Sequence, residues 1–326
     1  MLAGPRNMHT AYLIAAHHQP GHLRRLIRAL GTPGAAFFIH IDAKVDASAF
    51  HMAVGECPNV VFTSERVRIV HSGFSQVRAT LALLSEAWNF DSGFQRFCLL
   101  SGSDFPIKPN SRIRASFASR QEFMSIGRRL DLAEAGSHGR NIRYYWFMDA
   151  PYTARKAISG WLPRRSAIAA GIHQGSSWWA LTRDCVGYIR NFVRDHDEYE
   201  DFFRFSRCPD ESFFHSIVAQ SPFASRIAPT GGPGGNRVLG CHYIDWRPWS
   251  ERGPRILTLE DLDALCGSPA LFARKFDETR SAALLAAMEE HLARHPEKDY
   301  GARKGARSRQ AKSSSRTVPA VPARTE

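Results

Sequence analysis

The sequence lacks the patterns that mark several common kinds of functional site. It has no CxxC pair, no H-E-x-x-H, no Walker A sequence, and neither G-x-S-x-G nor G-x-G-x-x-G. These absences argue against a zinc site, a P-loop, a nucleophile elbow and a dinucleotide-binding fingerprint. The six cysteines stand singly along the chain, so we expect reduced thiols rather than a disulfide framework.

Long apolar runs are also missing. No window approaches 18 uninterrupted apolar residues, and the apolar run near the start is too short for a signal peptide. We therefore expect a soluble, cytoplasmic protein. With 44% apolar and 11% aromatic residues, the chain still has enough material for a large core.

The positive charge is unevenly distributed. Lys and Arg outnumber Asp and Glu by 43 to 31, a formal net charge of +12. Residues 301–326 hold seven basic residues and one acidic residue, and so carry +6 of it. Because the composition beyond residue 296 cannot bury a core, we expect disorder over 297–326, as over 1–8. Such a basic tail permits peripheral contact with the inner membrane.

Strands and helices alternate through the first hundred residues. Apolar runs at Ala11–Ala16 and Ala35–Ile41 enclose an amphipathic helix over Gly21–Leu30, and a helix over Gly73–Trp88 precedes a strand at Phe97–Leu100. The order predicts an α/β protein with a mostly parallel central sheet flanked by helices. Ligands of such sheets lie at the carboxyl ends of the strands. At those ends the sequence places His17, His18, Asp42 and Asp104.

The second half of the chain gives weaker signals. Gly127–Gly175 is rich in arginine and aromatic residues, and we predict a functional loop there. Elements predicted beyond it are a strand at Trp178–Leu181, a helix over Arg183–Val193, a helix starting near Pro209, a strand at His242–Trp246, and helices over Leu259–Cys266 and Glu278–His295.

Asp210 and Glu211 follow Pro209 and allow two interpretations. Acidic residues in the first turn of a helix are favoured by the helix dipole alone, which is a purely structural role. The apolar neighbours Phe213 and Phe214 favour the other interpretation, in which one carboxylate at the rim of a desolvated pocket is a general base.

Arg274 and Lys275 lie between Phe272 and Phe276. Their stems could simply pack along apolar surface while the charges stay in water. Alternatively, the phenylalanines anchor the segment and the two cations face a diphosphate without a metal. We predict no metal site, since the D-x-D spacings at 195–197 and 261–263 do not follow a buried strand.

Taken in chain order, eight segments resemble the core-2/I-branching enzyme family, glycosyltransferase family 14, which includes β-1,6-N-acetylglucosaminyltransferases and peptide O-xylosyltransferases. The segments are AYLIAAHH (11–18), FFIHID (37–42), SGFSQVRATL (72–81), LLSGSDFPIK (99–108), GSSWWALTR (175–183), PDESFFH (209–215), YIDW (243–246) and LFARKFD (271–277). Two stretches depart from the family pattern: 70–73, where relatives often show Trp-Gly-Gly, and the loop over 127–175.

The resemblance implies a GT-A-like domain over 9–296, with a nucleotide-binding half over about 9–125 and an acceptor half over about 126–296. It implies an inverting, metal-independent transferase in a bacterial-type soluble form. Its partners would be a UDP-sugar, with GlcNAc or xylose, and a carbohydrate or glycoconjugate acceptor. No cofactor and no specific nucleic acid are expected.

The resemblance also assigns roles to residues. Glu211 matches the catalytic base. The predicted nucleotide and diphosphate contacts are His17, His18, Asp42, Arg255, Arg274 and Lys275. The predicted acceptor or sugar contacts are Asp104, Trp178, Asp210 and Trp246, the last of which could equally well pack in the core.

Two other functions stay open at this point. A glycoside hydrolase could use Glu211 with a second carboxylate such as Asp104, and it would need no nucleotide. A nucleic-acid binder is suggested by the basic pI alone and would depend on residues 301–326.

Overall fold

The computed structural model describes residues 10–130, 137–153, 158–164, 171–229, 237–246 and 253–294. The predicted disordered ends, 1–8 and 297–326, lie outside these residues. Within the described part of the chain, no helix is long and apolar enough to cross a membrane.

Six strands form the central sheet: β1 (Thr10–Ala16), β2 (Ala35–Ile41), β3 (Val60–Phe62), β4 (Arg96–Ser101), β6 (Phe123–Arg129) and β7 (His173–Thr182). Their order across the sheet is β3-β2-β1-β4-β7-β6. Strand β1 pairs in parallel with β2 and β4, β3 pairs in parallel with β2, and β7 runs antiparallel to β4 and β6. The predicted α/β class and mostly parallel central sheet are confirmed.

Helices cover both faces of this sheet because its apolar strands need burial on both sides. Alternate residues of β1 enter different cores: Leu13 packs with the helix that contains Val77, and Ile14 packs with the helix that contains Leu23. The helices are α1 (Pro20–Leu30), α2 (Ser48–Val54), α3 (Ser75–Phe90), α4 (Asn110–Phe117), α5 (Ser137–Arg143), α6 (Arg183–Asp195), α7 (Asp197–Arg204), α8 (Phe213–Ala219), α9 (Leu262–Gly267) and α10 (Ala282–Ala293).

A second sheet has four strands: β5 (Phe105–Pro106), β8 (Val238–Leu239), β9 (His242–Ile244) and β10 (Phe272–Arg274). Their order across the sheet is β5-β10-β9-β8. Since β5 comes four residues after the end of β4 and pairs with β10, the late Phe272–Arg274 segment lies near the carboxyl end of β4. The sheet therefore brings the end of the domain to the strand ends of its beginning.

The predicted loop over 127–175 is wrong at its edges. Strand β6 continues through Arg129, α5 begins at Ser137, and β7 begins at His173. Arginine–aromatic contacts organise the part between α5 and β7: the guanidinium carbon of Arg164 lies 4.4 Å from the centroid of the Phe202 ring and 5.2 Å from that of the Tyr145 ring.

The helix predicted to start near Pro209 is present, but it starts later and after a break. Pro209–Glu211 is a single 3₁₀ turn, and α8 begins only at Phe213. Ser212 separates the two with a φ of −135°, outside the helical range. Likewise, the last helix starts at Ala282 rather than Glu278.

A buried ion pair anchors the start of β4. Arg96 is 1% exposed and donates to four backbone carbonyl groups. Its guanidinium lies 3.9 Å from the carboxylate of Glu122, which also accepts the backbone N–H of Thr182 at 2.8 Å. This network joins β4 to β7 and to Glu122, the residue that precedes β6.

Replacing Arg96 by alanine should lower the free energy of unfolding by about 3–5 kcal/mol, because it leaves the Glu122 carboxylate buried and unpaired. The exposed Arg24→Ala is the matched control, with an expected change within about 0.5 kcal/mol. Urea denaturation measures both, and equal losses in the two variants would contradict this role for Arg96.

Candidate active site

The short turn Pro209–Glu211, called the acidic turn here, is held by side chains from two elements. Glu211 Oε2 accepts a hydrogen bond from Gln174 Nε2 at 2.9 Å. Asp210 Oδ2 accepts one from Ser177 Oγ at 2.7 Å and one from Gln76 Nε2 at 3.2 Å. Strand β7 therefore fixes both carboxylates, and α3 fixes one of them a second time.

Two residues near the start of the acidic turn have a left-handed backbone conformation. Ser72 has a φ of 63° and Cys208 a φ of 52°, values that non-glycine residues seldom adopt. The Cys208 N–H donates to the Ser72 carbonyl at 2.9 Å, and the Ser72 N–H donates to Gln76 Oε1 at 2.6 Å. Gln76 thus connects Ser72 and Asp210, and the residues on both sides of Pro209 are tied to the start of α3. Such uncommon conformations concentrate at functional sites.

Burial controls the ionisation of the acidic turn. It raises the pKa of Glu211 to about 7, and the neighbouring Asp210 carboxylate adds to the rise. The hydrogen bond from Gln174 and the charge of Arg207 oppose it. Burial also raises the pKa of Asp210. A carboxyl group with a pKa near neutrality can take and return a proton at physiological pH, as a general base must.

Asp104 lies at the end of β4 and collects partners from both sheets. Its carboxylate accepts hydrogen bonds from the Ser101 N–H at 2.8 Å and the Ser101 hydroxyl at 2.7 Å. It lies 3.4 Å from His242 Nε2 and 3.5 Å from Arg274 Nε. Burial by itself would raise the pKa of Asp104, but Arg274 and His242 lower it, so the carboxylate stays ionised.

Arg274 connects Asp104 to the acidic turn. Its side chain is only 12% exposed, and its guanidinium carbon lies 4.1 Å from the centroid of the Trp178 ring. Burial lowers the pKa of Arg274, and the charges of both Asp104 and Asp210 oppose that lowering. The structure therefore brings together four sequence-predicted residues, Asp104, Trp178, Asp210 and Arg274, beside Glu211.

A second group lies at the ends of β1 and β2. The rings of His17 and His18 stack with centroids 4.3 Å apart. Burial lowers the pKa of His17. The charges of His18 and Lys275 lower it further, and the carboxylate of Asp42 opposes them. Asp42 itself accepts the Lys44 N–H at 2.9 Å. The predicted nucleotide contacts from the first half of the chain thus adjoin Lys275 from the end of the domain.

The side chain of Arg255 contacts neither of these two groups, and Trp246 lies beyond the end of β9. The Arg255 guanidinium bonds Asp261 and lies 3.3 Å from an Asp245 oxygen. Its carbonyl accepts the Lys275 N–H at 3.4 Å, so its backbone adjoins the predicted diphosphate segment. Trp246 follows β9 and is 37% exposed. Among the described residues, no group of three or more His, Cys, Asp and Glu side chains is arranged to hold a metal ion.

Sequence reasoning missed the amide and hydroxyl partners of the site. Gln76, Gln174 and Ser177 hold the acidic turn, and His242 pairs with Asp104. Ser177 lies inside the segment GSSWWALTR that carried the family resemblance, and Gln76 inside SGFSQVRATL. The family resemblance of these two segments could have indicated that both residues lie near the site. Neither segment has a spacing that identifies a hydrogen-bond partner of a distant carboxylate.

The fold and the site define an α/β protein in which a half-buried carboxyl at the acidic turn lies beside Asp210, and the largely buried guanidinium of Arg274 joins Asp210 to Asp104 near the end of β4. The sequence model of the Core-2/I-Branching enzyme family matches residues 10–266, more than half of the chain. The chain belongs to the Core-2/I-Branching enzyme family. The observed architecture agrees with the predicted single α/β domain with a central sheet flanked by helices.

Individual relatives are more distant. Xylosyltransferase 2 of Canis lupus familiaris is 28% identical over 312 residues, covering 86% of this chain and 33% of the relative. Xylosyltransferase 1 of Rattus norvegicus is 25% identical over 314 residues, covering 88% and 36%. The chain thus spans about a third of the length of these curated relatives. Among solved structures, an active-site mutant of LgtC aligns with a TM-score of 0.44 and 8% identity, covering 87% of this chain and 95% of that one.

The raised pKa of Glu211 should appear as a pH-dependent stability difference. Between its ordinary value of 4.5 and about 7, the folded state binds this proton more tightly than the unfolded state, so stability falls as the pH rises. Glu211→Gln removes this cost. The variant should be more stable than the wild type by about 1–3 kcal/mol at pH 8 and equal to it near pH 4.

Urea denaturation across this pH range measures the effect. The exposed Glu260→Gln, which also replaces one carboxyl by an amide, should show no such trend. A Glu211→Gln difference that is the same at all pH values would mean that the carboxyl is not perturbed.

Proposed function

We propose that the chain is an inverting, metal-independent glycosyltransferase that moves GlcNAc or xylose from a UDP-sugar to a hydroxyl of a carbohydrate or glycoconjugate. The single observation that carries this proposal is the acidic turn: a half-buried carboxyl with a pKa of about 7 beside Asp210, which the charge of Arg274 also influences. Family membership and the xylosyltransferase relatives support the substrate class.

Glu211 is the general base in this proposal. An acceptor hydroxyl is far too weak an acid to ionise at neutral pH, so a carboxylate must take its proton as the oxygen attacks the anomeric carbon. The new bond forms on the face opposite the diphosphate, whose bond to that carbon breaks, and UDP leaves. An α-linked donor thus gives a β-linked product. Gln174 holds Glu211 Oε2 and so orients the carboxylate.

Arg274 and Lys275 stabilise the leaving diphosphate in this proposal. Negative charge grows on that group as the glycosidic bond breaks, so fixed cations stabilise the transition state more than the ground state. Burial and the charge of Arg274 lower the pKa of Lys275, which is what two cations held close together produce. Asp104 and Trp178 hold the Arg274 guanidinium in place before the substrate arrives.

The hydrolase alternative needs a second carboxylate next to the sugar. Asp104 is fully buried and already engaged by Ser101, His242 and Arg274. The role of Asp104 as a positioning group for Arg274 therefore fits its contacts better than a role as a nucleophile or second acid.

Glu211→Gln should lose transfer by roughly 10²- to 10⁴-fold in kcat while UDP still raises the unfolding temperature as it does in the wild type. The amide keeps the size and the hydrogen-bonding capacity toward Gln174 but cannot take a proton. Transfer from UDP-GlcNAc and UDP-xylose is measured, with Glu260→Gln as the control. Turnover within a few fold of the wild type would remove Glu211 as the base.

Transfer should continue in excess EDTA, since the proposed diphosphate cations belong to the protein. The measurement compares initial rates with and without chelator after dialysis, and adds Mn²⁺ or Mg²⁺ back to the chelated sample. Loss of activity that either metal ion restores would overturn the metal-independent mechanism without touching the assignment of the base.

A further inference from the structure

A cavity of about 500 Å³ lies beside the acidic turn and opens to solvent. Its wall comes from three parts of the chain: the residues before α3, the arginine- and aromatic-rich region after α5, and the residue before Cys208. The wall includes His71, Ser72, Trp146, Met148, Ser159 and Arg207. Several of these fall in the stretches that depart from the family pattern.

The cavity is connected directly to the acidic turn. Ser72 lies in its wall and accepts the Cys208 N–H, and Cys208 immediately precedes Pro209. Arg207 opposes the rise that burial causes in the pKa of Glu211, so its charge reaches that carboxyl. A molecule in the cavity would therefore contact Ser72 and Arg207, on the side where the chain enters the acidic turn, and not the strand ends that hold His17.

The aromatic side of the cavity, formed by Trp146, is preorganised. The Trp146 Nε1–H donates to the Arg140 carbonyl at 3.1 Å, and the Trp146 backbone N–H donates to the Phe205 carbonyl at 2.8 Å. Gly160, with a φ of +78°, packs so closely that an added Cβ would lie 2.8 Å from the indole. The indole is thus fixed before any ligand binds, which reduces the entropy cost of binding.

The charged side of the cavity carries a cation without a carboxylate partner. Arg207 is exposed, lies 5.1 Å from the Trp146 ring centroid, and forms no ion pair with any residue in the described ranges. The nearby carboxylates have other partners: Asp149 bonds the Ser75 hydroxyl at 2.6 Å, and the acidic turn bonds β7 and Gln76. The cavity therefore offers a guanidinium beside a fixed aromatic wall.

We propose that this cavity is the acceptor subsite and that it binds a saccharide carrying a carboxylate, such as a terminal uronic acid. This inference rests on the proposed function. Arg207 pairs with the carboxylate, which is the anion that a planar guanidinium binds best. Trp146 and Met148 contact the apolar face of the sugar ring, and Ser159 supplies a hydroxyl. The volume lies within the usual range for a small-ligand site.

A saccharide fits this wall better than an acidic peptide. Sugar rings present a rigid CH face and a rim of hydroxyl groups, which match a fixed indole with a polar edge. A single unpaired guanidinium favours one carboxylate per ligand, whereas an acidic peptide brings several in flexible chains that pay more entropy on binding.

The test is isothermal titration calorimetry with p-nitrophenyl β-D-glucuronide and p-nitrophenyl β-D-glucoside, which differ by one carboxylate, in the presence of saturating UDP. The wild type should bind the glucuronide about three- to fivefold more tightly than the glucoside, since an ion pair at an exposed guanidinium contributes up to about this much. Arg207→Ala should abolish the preference and Arg207→Lys should keep part of it. Arg204→Ala removes the same charge three residues earlier, outside the cavity wall, and should bind like the wild type.

Equal binding of the two glycosides, failure of the wild type to bind either, or a preference that survives in Arg207→Ala would overturn the proposal. Tighter binding of a blocked Asp-Glu hexapeptide than of the glucuronide would overturn its saccharide part. Calorimetry needs no turnover, whereas the proposed transferase is tested by UDP-dependent stabilisation and sugar transfer. The two can therefore fail separately.

Discussion

The buried carboxylate of Asp104 is the contact on which the arrangement of the site depends. An ionised carboxylate removed from water is costly unless charged and hydrogen-bonding partners surround it. Ser101 supplies two donors from its own strand end, but His242 and Arg274 come from the second sheet. Compensation of this one charge therefore adds to the β5–β10 pairing in fixing β9 and β10 near the end of β4, and with them the cation that we propose to face the diphosphate.

The acidic turn follows the opposite principle. Its carboxylates receive neutral partners, the amides of Gln174 and Gln76 and the hydroxyl of Ser177, while burial disfavours their charge. Neutral donors hold Glu211 and Asp210 in place without stabilising their ionised forms as strongly as a cation would. The site therefore holds two different carboxyl groups. Asp104 has a lowered pKa and stays ionised, whereas Glu211 has a pKa raised to about 7. Two carboxyl groups whose environments push their pKa values apart are the pattern expected of divided catalytic roles.

The sequence predicted what apolar patterns determine and missed what single contacts determine. Strands over 11–16 and 35–41 were found to within one residue, because continuous burial on both faces leaves an unbroken apolar run. The sequence predicts a helix at the acidic turn because Pro209 is typical of a helix start. Nothing in the sequence at Ser212 indicates that the helix is interrupted there. Gln76 and Gln174 could not be predicted, since an amide that bonds a carboxylate more than thirty residues away leaves no local pattern.

The two sides of the site are built by different means, and this bears on how such a protein diverges. The strand-end side depends on buried charges, so a change at Asp104 or Arg274 leaves a partner unpaired in low dielectric. The cavity side depends on arginine–aromatic contacts such as those of Arg164 and Arg207, which are partly exposed and less strict in geometry. Substitution there costs less stability. If the strand-end side serves the donor, as we propose, the acceptor can change while the donor chemistry is kept.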